Sequence, residues 1–271
     1  TLGAKHMDTL CTFHNLADAL SIQGKLDEAE ILHWQCWEDR KEVLGETHPH
    51  TLRSLHNLAH AMNDKGDYAE AETIFRECWK AEKKSLGETY PLTLNSLHNV
   101  ACVMNVRGDH ADAEVLSREG WEVQKKILGE SHPDTLGSLN NMAVAVDGQG
   151  NHTDAEMLLQ ECWEAMKETL GEVHPDTLET LHDMAVAVKN QGNYDKAETL
   201  FRECWEIRKK TLGETHPNTL NSLNGLALVL HEQGNYVQGE TLSRECFEMS
   251  EIVLGDNHPE TLRRKEILNF V

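Results

Sequence analysis

Six glycines stand at one fixed interval: Gly24, Gly66, Gly108, Gly150, Gly192 and Gly234 each follow the last by 42 residues. A Leu-Gly-Glu or Leu-Gly-Asp step returns in the same register at Gly45, Gly87, Gly129, Gly171, Gly213 and Gly255. Thr-Leu returns at Thr9, Thr51, Thr93, Thr135, Thr177, Thr219 and Thr261. Self-similarity of this period over practically the whole sequence means that each period is one supersecondary unit, stabilised by stacking on its neighbours. It leaves no stretch of these residues for a separate catalytic domain.

Within a period the apolar spacing is helical. Leu52, Leu55, Leu58, Ala59 and Met62 form one stripe, which predicts a helix A from about Pro49 to Lys65. Gly66 stops it. Ala71, Ile74, Phe75, Cys78, Trp79 and Leu86 form the stripe of a helix B ending at Gly87. Glu70 and Glu72 near its start and Lys83 and Lys84 near its end complement the helix dipole. Pro49, Pro91, Pro133, Pro175, Pro217 and Pro259 suit the first turn of each helix A. No segment alternates as a strand would, so the expected fold is all-α: an α-solenoid of six helix pairs, covering 1–271 as a single array. The units run approximately over 6–45, 48–87, 90–129, 132–171, 174–213 and 216–255, followed by a partial capping helix over 258–271. Residues 1–5 read as the tail of an earlier helix B. Lys265, where the stripe calls for Leu, gives the last helix a solvated face.

Charge narrows the partners. Lys plus Arg number 25 against 46 Asp plus Glu, a net charge of −21, which disfavours nucleic acid and anionic membrane surfaces. No apolar run approaches the roughly 18 residues of a membrane span, and no signal peptide opens the sequence. Cysteines number seven, and Cys36, Cys78, Cys162, Cys204 and Cys246 share one helix-B position filled by Gly120 in the third unit. Helices packed about 8–10 Å apart hold equivalent cysteines too far apart to bridge. The expectation is therefore buried thiols in a reducing, cytoplasmic compartment.

With the turn at Gly66, the residues Leu55, Leu58, Ala59, Gly66, Tyr68, Ala71, Phe75 and Cys78 resemble the tetratricopeptide repeat. The long unit, Asn57-Leu58-Ala59 in helix A and the Leu86-to-Pro91 linker resemble the repeats of kinesin light chains, a type also used in sensor arrays of STAND-class signalling proteins. The resemblance implies a right-handed superhelix whose helices A line a concave groove for an extended peptide. In the second unit the implied groove positions are Arg53, His56, Asn57, His60, Asn63 and Asp64. The candidate set further includes Asn15, Asn95, His98, Asn99, Asn140, Asn141, His182, Asp183 and Asn224.

An Asn amide donates and accepts at once, so a column of them suits peptide backbone; equally, it suits a bridge between neighbouring helices A. Asp18, Asp64, Asp147, Glu179, Asp183 and Glu232 outnumber Arg53 and Lys189 at these positions, which favours a neutral or basic segment unless the acids serve solubility alone. The loop histidines His6, His48, His132, His174, His216 and His258 fit a structural bond to a helix end. His56 and His60 are spaced as a metal pair, but the sequence fixes no third ligand, so no metal and no cofactor is expected. Trp37, Trp79, Trp121, Trp163 and Trp205 read as core between repeats. No phosphate loop, nucleophile elbow or enclosed carboxylate pair appears, so no enzyme is expected. The expected function is a protein-interaction scaffold; a self-associating structural array, or a sensor region of a larger protein, is the competing reading.

Overall fold

The computed structural model describes residues 5–23, 25–256 and 258–270. Among them the chain forms thirteen α-helices and no strand. The helices A are α1 (Met7–Ile22), α3 (Pro49–Lys65), α5 (Pro91–Arg107), α7 (Pro133–Gly148), α9 (Pro175–Asn190) and α11 (Pro217–Glu232). Their partners B are α2 (Leu26–Leu44), α4 (Tyr68–Ser85), α6 (His110–Leu128), α8 (His152–Leu170), α10 (Tyr194–Leu212) and α12 (Tyr236–Leu254). A short α13 (Pro259–Phe270) closes the series, with Lys265 exposed on it. Of the expected helix-B tail over residues 1–5, residues 1–4 lie outside the described residues, and Lys5 is in a turn.

Local chemistry sets the helix ends. At Gly66 the backbone turns left-handed (φ 93°), and the Gly66 and Asp67 N–H groups return to the carbonyls of Asn63 and Met62. A side chain at that φ would be strained, which is why glycine recurs there. The loop histidines are the N-caps. Nδ1 of His48, His132, His174, His216 and His258 accepts the N–H two residues on at 3.2 Å, and His6 does so at 3.3 Å. Tyr90 takes the same place before α5 without a side-chain cap. Pro at the next position has no N–H to satisfy.

Two compact units result, residues 1–116 and 117–271, the division falling inside α6. In the first, Leu55, Leu58 and Cys78 form a core flanked by Trp37, Met62 and Ile74. In the second, Leu178, Leu181, Met184 and Val188 of α9 pack with Leu159, Phe201 and Leu226. α3 and α9 thus bury their stripes between the helices B on either side.

The conserved-register cysteines are buried free thiols, and they do more than fill space. Cys36, Cys162, Cys204 and Cys246 point Sγ at the carbonyls of Leu10, Leu136, Leu178 and Leu220 at 3.2–3.6 Å, and Cys78 points at that of Leu52 from 4.0 Å. Each thiol donates to the partner helix A. Burial pushes the Cys36 and Cys246 thiols up to about 11, so they stay protonated. Trp37, Trp79, Trp121, Trp163 and Trp205 are half-buried beside the core, while Trp34 is exposed. Lys41, Lys83, Lys125, Lys167 and Lys209 each lie 4.7–5.2 Å from the centre of the Trp ring one turn before them. Each lysine also pairs with a linker glutamate, Lys125 with Glu130 at 2.6 Å.

Candidate functional site

Helices A present one polar face in each unit. In residues 1–116 its frame is a pair of amide bridges between neighbouring helices. Asn57 Nδ2 reaches His14 Nε2 and Asp18 Oδ1, both at 3.4 Å. Asn99 Nδ2 reaches His56 Nε2 at 2.9 Å and donates to Asn95 Oδ1 at 2.9 Å. The fifth position of one unit thus holds the sixth position of the next. Among the described residues no hydrogen bond reaches the Asn57 or Asn99 carbonyl oxygen, so both amides keep an acceptor for another group.

His56 and His60 pack edge-to-face on Phe75, with ring centres 5.1 and 5.0 Å away. Burial, then the neighbouring His60, lowers the His56 pKa to about 4. A neutral ring is what the Asn99 bond requires, since Nε2 must accept there. Asn15, Arg53, His60 and Asn95 are exposed, while Asn63 is partly covered. His98 is also half-buried, its Nε2 3.3 Å from Cys102 Sγ. A cavity of about 360 Å³ opens between Arg53, His56, Glu82, Leu92 and Asn95.

In residues 117–271 the face is built differently. Asn140 Nδ2 donates to Asp183 Oδ2 at 2.8 Å, so the asparagine now sits at the fifth position and the acceptor at the sixth. Burial raises the Asp183 carboxyl to about 7, with Glu179 adding to the rise. His182 packs on Phe201 at 5.3 Å, and burial lowers its pKa to about 4. Asn224 lines a cavity of about 200 Å³ with Lys189, Gly225 and Arg263. Burial lowers the Lys189 pKa.

One expected groove residue is misplaced by the sequence reading. Asn141 is 7% exposed and donates to Ser117 Oγ at 3.0 Å, turned toward α6 and away from the polar face. The cause is the helix-B residue 24 positions earlier, which lies against Asn141 and, two repeats on, against Gly225. Small Ser117 leaves room for Asn141 to turn inward. Phe75 stands at that place below Asn99, which stays half-exposed. Phe201 stands there below Gly225, where an added Cβ would come within 2.4 Å of the ring. At Gly225 the phenyl ring fills the space that a side chain would need.

The acidity of the face is also largely answered from within. Asp147 meets His152 at 2.7 Å and Asn190 at 2.8 Å, and Glu179 pairs with Arg208 at 2.5 Å. Asp64 and Glu232 remain exposed.

A second column escaped the sequence reading. Four residues after the cysteine register, helix B carries Arg40, Glu82, Gln124, Met166, Arg208 and Ser250. Each faces residue i+14 on the next helix. Arg40 bonds Ser54, Glu82 accepts from Ser96 at 2.7 Å, and Arg208 donates to Ser222 Oγ at 3.0 Å. With its Nε2 turned toward α7, Gln124 donates to Ser138 Oγ at 2.7 Å. Thr180 donates to Met166 at 3.2 Å. In the last pair the roles reverse, Arg264 on α13 donating to Ser250 Oγ at 2.7 Å. The constant hydroxyl was the readable signal; the changing partner hid it.

The comparisons with known proteins agree with this architecture. Family models described as tetratricopeptide repeat match residues 8–81, 58–126, 134–210, 176–238 and 219–260. A solved Podosopora anserina kinesin light chain with nearly identical TPR-like repeats is 28% identical (TM-score 0.57), covering 74% of this chain and 94% of its own. NprR in complex with its cognate peptide NprX is 12% identical (TM-score 0.70), covering 98% and 74%. A Rap protein complexed with Competence and Sporulation Factor is 11% identical (TM-score 0.64), covering 97% and 87%. No curated protein sequence matches. Its repeats resemble those of kinesin light chains, and the chain belongs to the tetratricopeptide repeat family.

Proposed function

We propose that this chain is a binding scaffold that holds an extended peptide or partner segment along the polar face of its helices A. The observation that carries the reading is the pair of half-used amides in the first unit. Asn57 and Asn99 spend their N–H groups on bridges that fix their orientation, and among the described residues each carbonyl oxygen receives no hydrogen bond. Acceptors held in place suit the N–H groups of an extended segment, since the ordering cost is met before binding. Similar folds solved with a bound partner, NprR with its cognate peptide NprX and a Rap protein complexed with Competence and Sporulation Factor, support the same reading. Arg53, His56, His60, Asn63, Asn95 and His98 would contact side chains there; Asn140, His182, Asp183 and Asn224 would do so in the second unit.

A neutral or basic segment fits best. Asp64 and Glu232 are the exposed acids, and the remaining acidic positions are paired internally. The preference is therefore weaker than the net charge suggests.

The test is a peptide array probed with wild type and with Asn57→Ala plus Asn99→Ala, each checked by thermal melting. Loss of binding in a variant that still folds supports the reading; unchanged binding rejects it. Exposed Val237 and Ile252 on α12, 82% and 83% accessible, favour self-association as the second reading. Light scattering that stays monomeric at all concentrations would count against it.

A further inference from the structure

In the first unit three metal-ligating side chains converge: His14 and Asp18 from α1 and His33 from α2, all their ligand atoms within 4.8 Å of one another. His14 and Asp18 are one turn apart on one helix face, and His33 rises from the paired helix to meet them. His14 Nε2 lies 3.7 Å from Asp18 Oδ2, and His33 Nε2 lies 3.5 Å from Asp18 Oδ1. Donors bound to one tetrahedral zinc at about 2.0–2.1 Å stand roughly 3.3 Å apart. Both histidine-to-carboxylate separations are therefore near that value, one to each Asp18 oxygen, and the three residues each offer a ligand atom within 4.8 Å of the others.

His33 is 2% exposed, and its Nε2 faces Asp18 Oδ1 from 3.5 Å, a longer approach than a well-formed hydrogen bond of about 2.7–3.2 Å. His14 Nε2 stands between Asp18 and the Asn57 amide. Neutral imidazole is the form that binds a metal. The carboxylate that would neutralise half of a divalent charge has 45% of its side chain open to solvent, which gives the ion a way in.

We infer that His14, Asp18 and His33 form a site for a borderline divalent transition metal, zinc(II) in the first place, with water in the fourth position. Two imidazoles and one carboxylate favour zinc over magnesium or calcium, which take oxygen ligands. The site ties α1 to α2 at the first repeat. Asn57, 3.4 Å from both His14 and Asp18, lies at its edge. The site shares His14 and Asp18 with the Asn57 bridge, and a cobalt titration without peptide tests it apart from the peptide-binding reading.

The test strips the whole chain with a chelator and titrates cobalt(II) as a visible probe, then displaces it with zinc(II). One cobalt per chain with a visible ligand-field band, lost on adding zinc, is the expected result. Asp18→Asn, a change at a solvent-reached carboxylate, is expected to weaken zinc binding at least about tenfold. His14→Ala is expected to do the same, with His216→Ala as the unaffected control. No stoichiometric cobalt band in wild type, or an Asp18→Asn protein binding zinc as tightly as wild type, overturns the site.

Discussion

Glu82 on α4 accepts a 2.7 Å hydrogen bond from Ser96 on α5, and among the described residues no cation pairs with this 2% exposed carboxylate. Where Arg208 occupies the equivalent position it has Glu179 for a counter-charge; Glu82 has only a hydroxyl. Burial raises its pKa to about 7 from 4.5, and the Ser96 bond offsets part of the rise. A raised folded pKa means stability fully present below about 4.5 and lost as pH climbs through 7. Glu82→Gln, which copies the Gln124–Ser138 arrangement of the next repeat, is expected to leave stability unchanged at pH 4. At pH 8 it should raise stability by up to about 3 kcal/mol. Urea denaturation of both proteins at the two pH values checks this. A variant weaker than wild type at pH 8 would contradict it.

His56 carries the opposite proton linkage. Its folded pKa is depressed to about 4, so it contributes stability above its ordinary 6.5 that is lost as pH falls through 4. The partly buried cap His216 follows the same direction, since burial lowers its pKa and Nδ1 must stay free of a proton to accept from Asn218. The expected result is that the His56 ring resonances, followed by NMR, still report the neutral form at pH 5.5. A midpoint above 6 would mean that the Asn99 bond and the surrounding burial are weaker than the structure shows.

Much of this architecture could be read from the linear chain. The spacing of Leu52, Leu55 and Leu58 located α3 to its ends, and the loop histidines announced themselves as partners of helix ends because they recur with the loop. What repeats in register is legible. The face of Asn141 was not, because it depends on whether Ser117 or a phenylalanine lies 24 residues earlier, a comparison across two helices. The Arg40-to-Ser250 column was hidden for a related reason: its register is constant, but its side chains change from cation to anion to amide. His14 and His33 meet only once α1 and α2 are folded together.

Gly137 and Gly225, two helical glycines of the second unit, should respond in opposite ways to the same substitution. Gly137 in α7 has nothing within 4 Å of an added Cβ, so Gly137→Ala removes only backbone freedom. It is expected to stabilise by about 0.5–1 kcal/mol. Gly225→Ala drives a methyl group to 2.4 Å from the Phe201 ring, which also packs on His182. Overpacking there should cost about 1–3 kcal/mol, outweighing the helix-propensity gain. Thermal melts of the pair decide it, and a stabilised Gly225→Ala protein would show that Phe201 moves aside freely.

Trp121 separates packing from surface charge. Its ring is half-buried against Leu136, Leu139 and Met142 of α7, and its outer side carries Lys125 Nζ at 4.7 Å from the ring centre. Fully buried aromatic-to-alanine changes cost about 3–5 kcal/mol; with part of this ring in solvent, Trp121→Ala should cost about 2–3 kcal/mol. The Lys125 contacts are exposed, both the cation–π approach and the 2.6 Å pair with Glu130. Lys125→Ala should therefore cost no more than about 1 kcal/mol, and less in high salt. Circular-dichroism urea titrations of the two single variants rank the effects. Were Lys125→Ala the more damaging, or Trp121→Ala within about 0.5 kcal/mol of wild type, the ring would be a surface ornament and the joint between α6 and α7 would rest on the aliphatic residues alone.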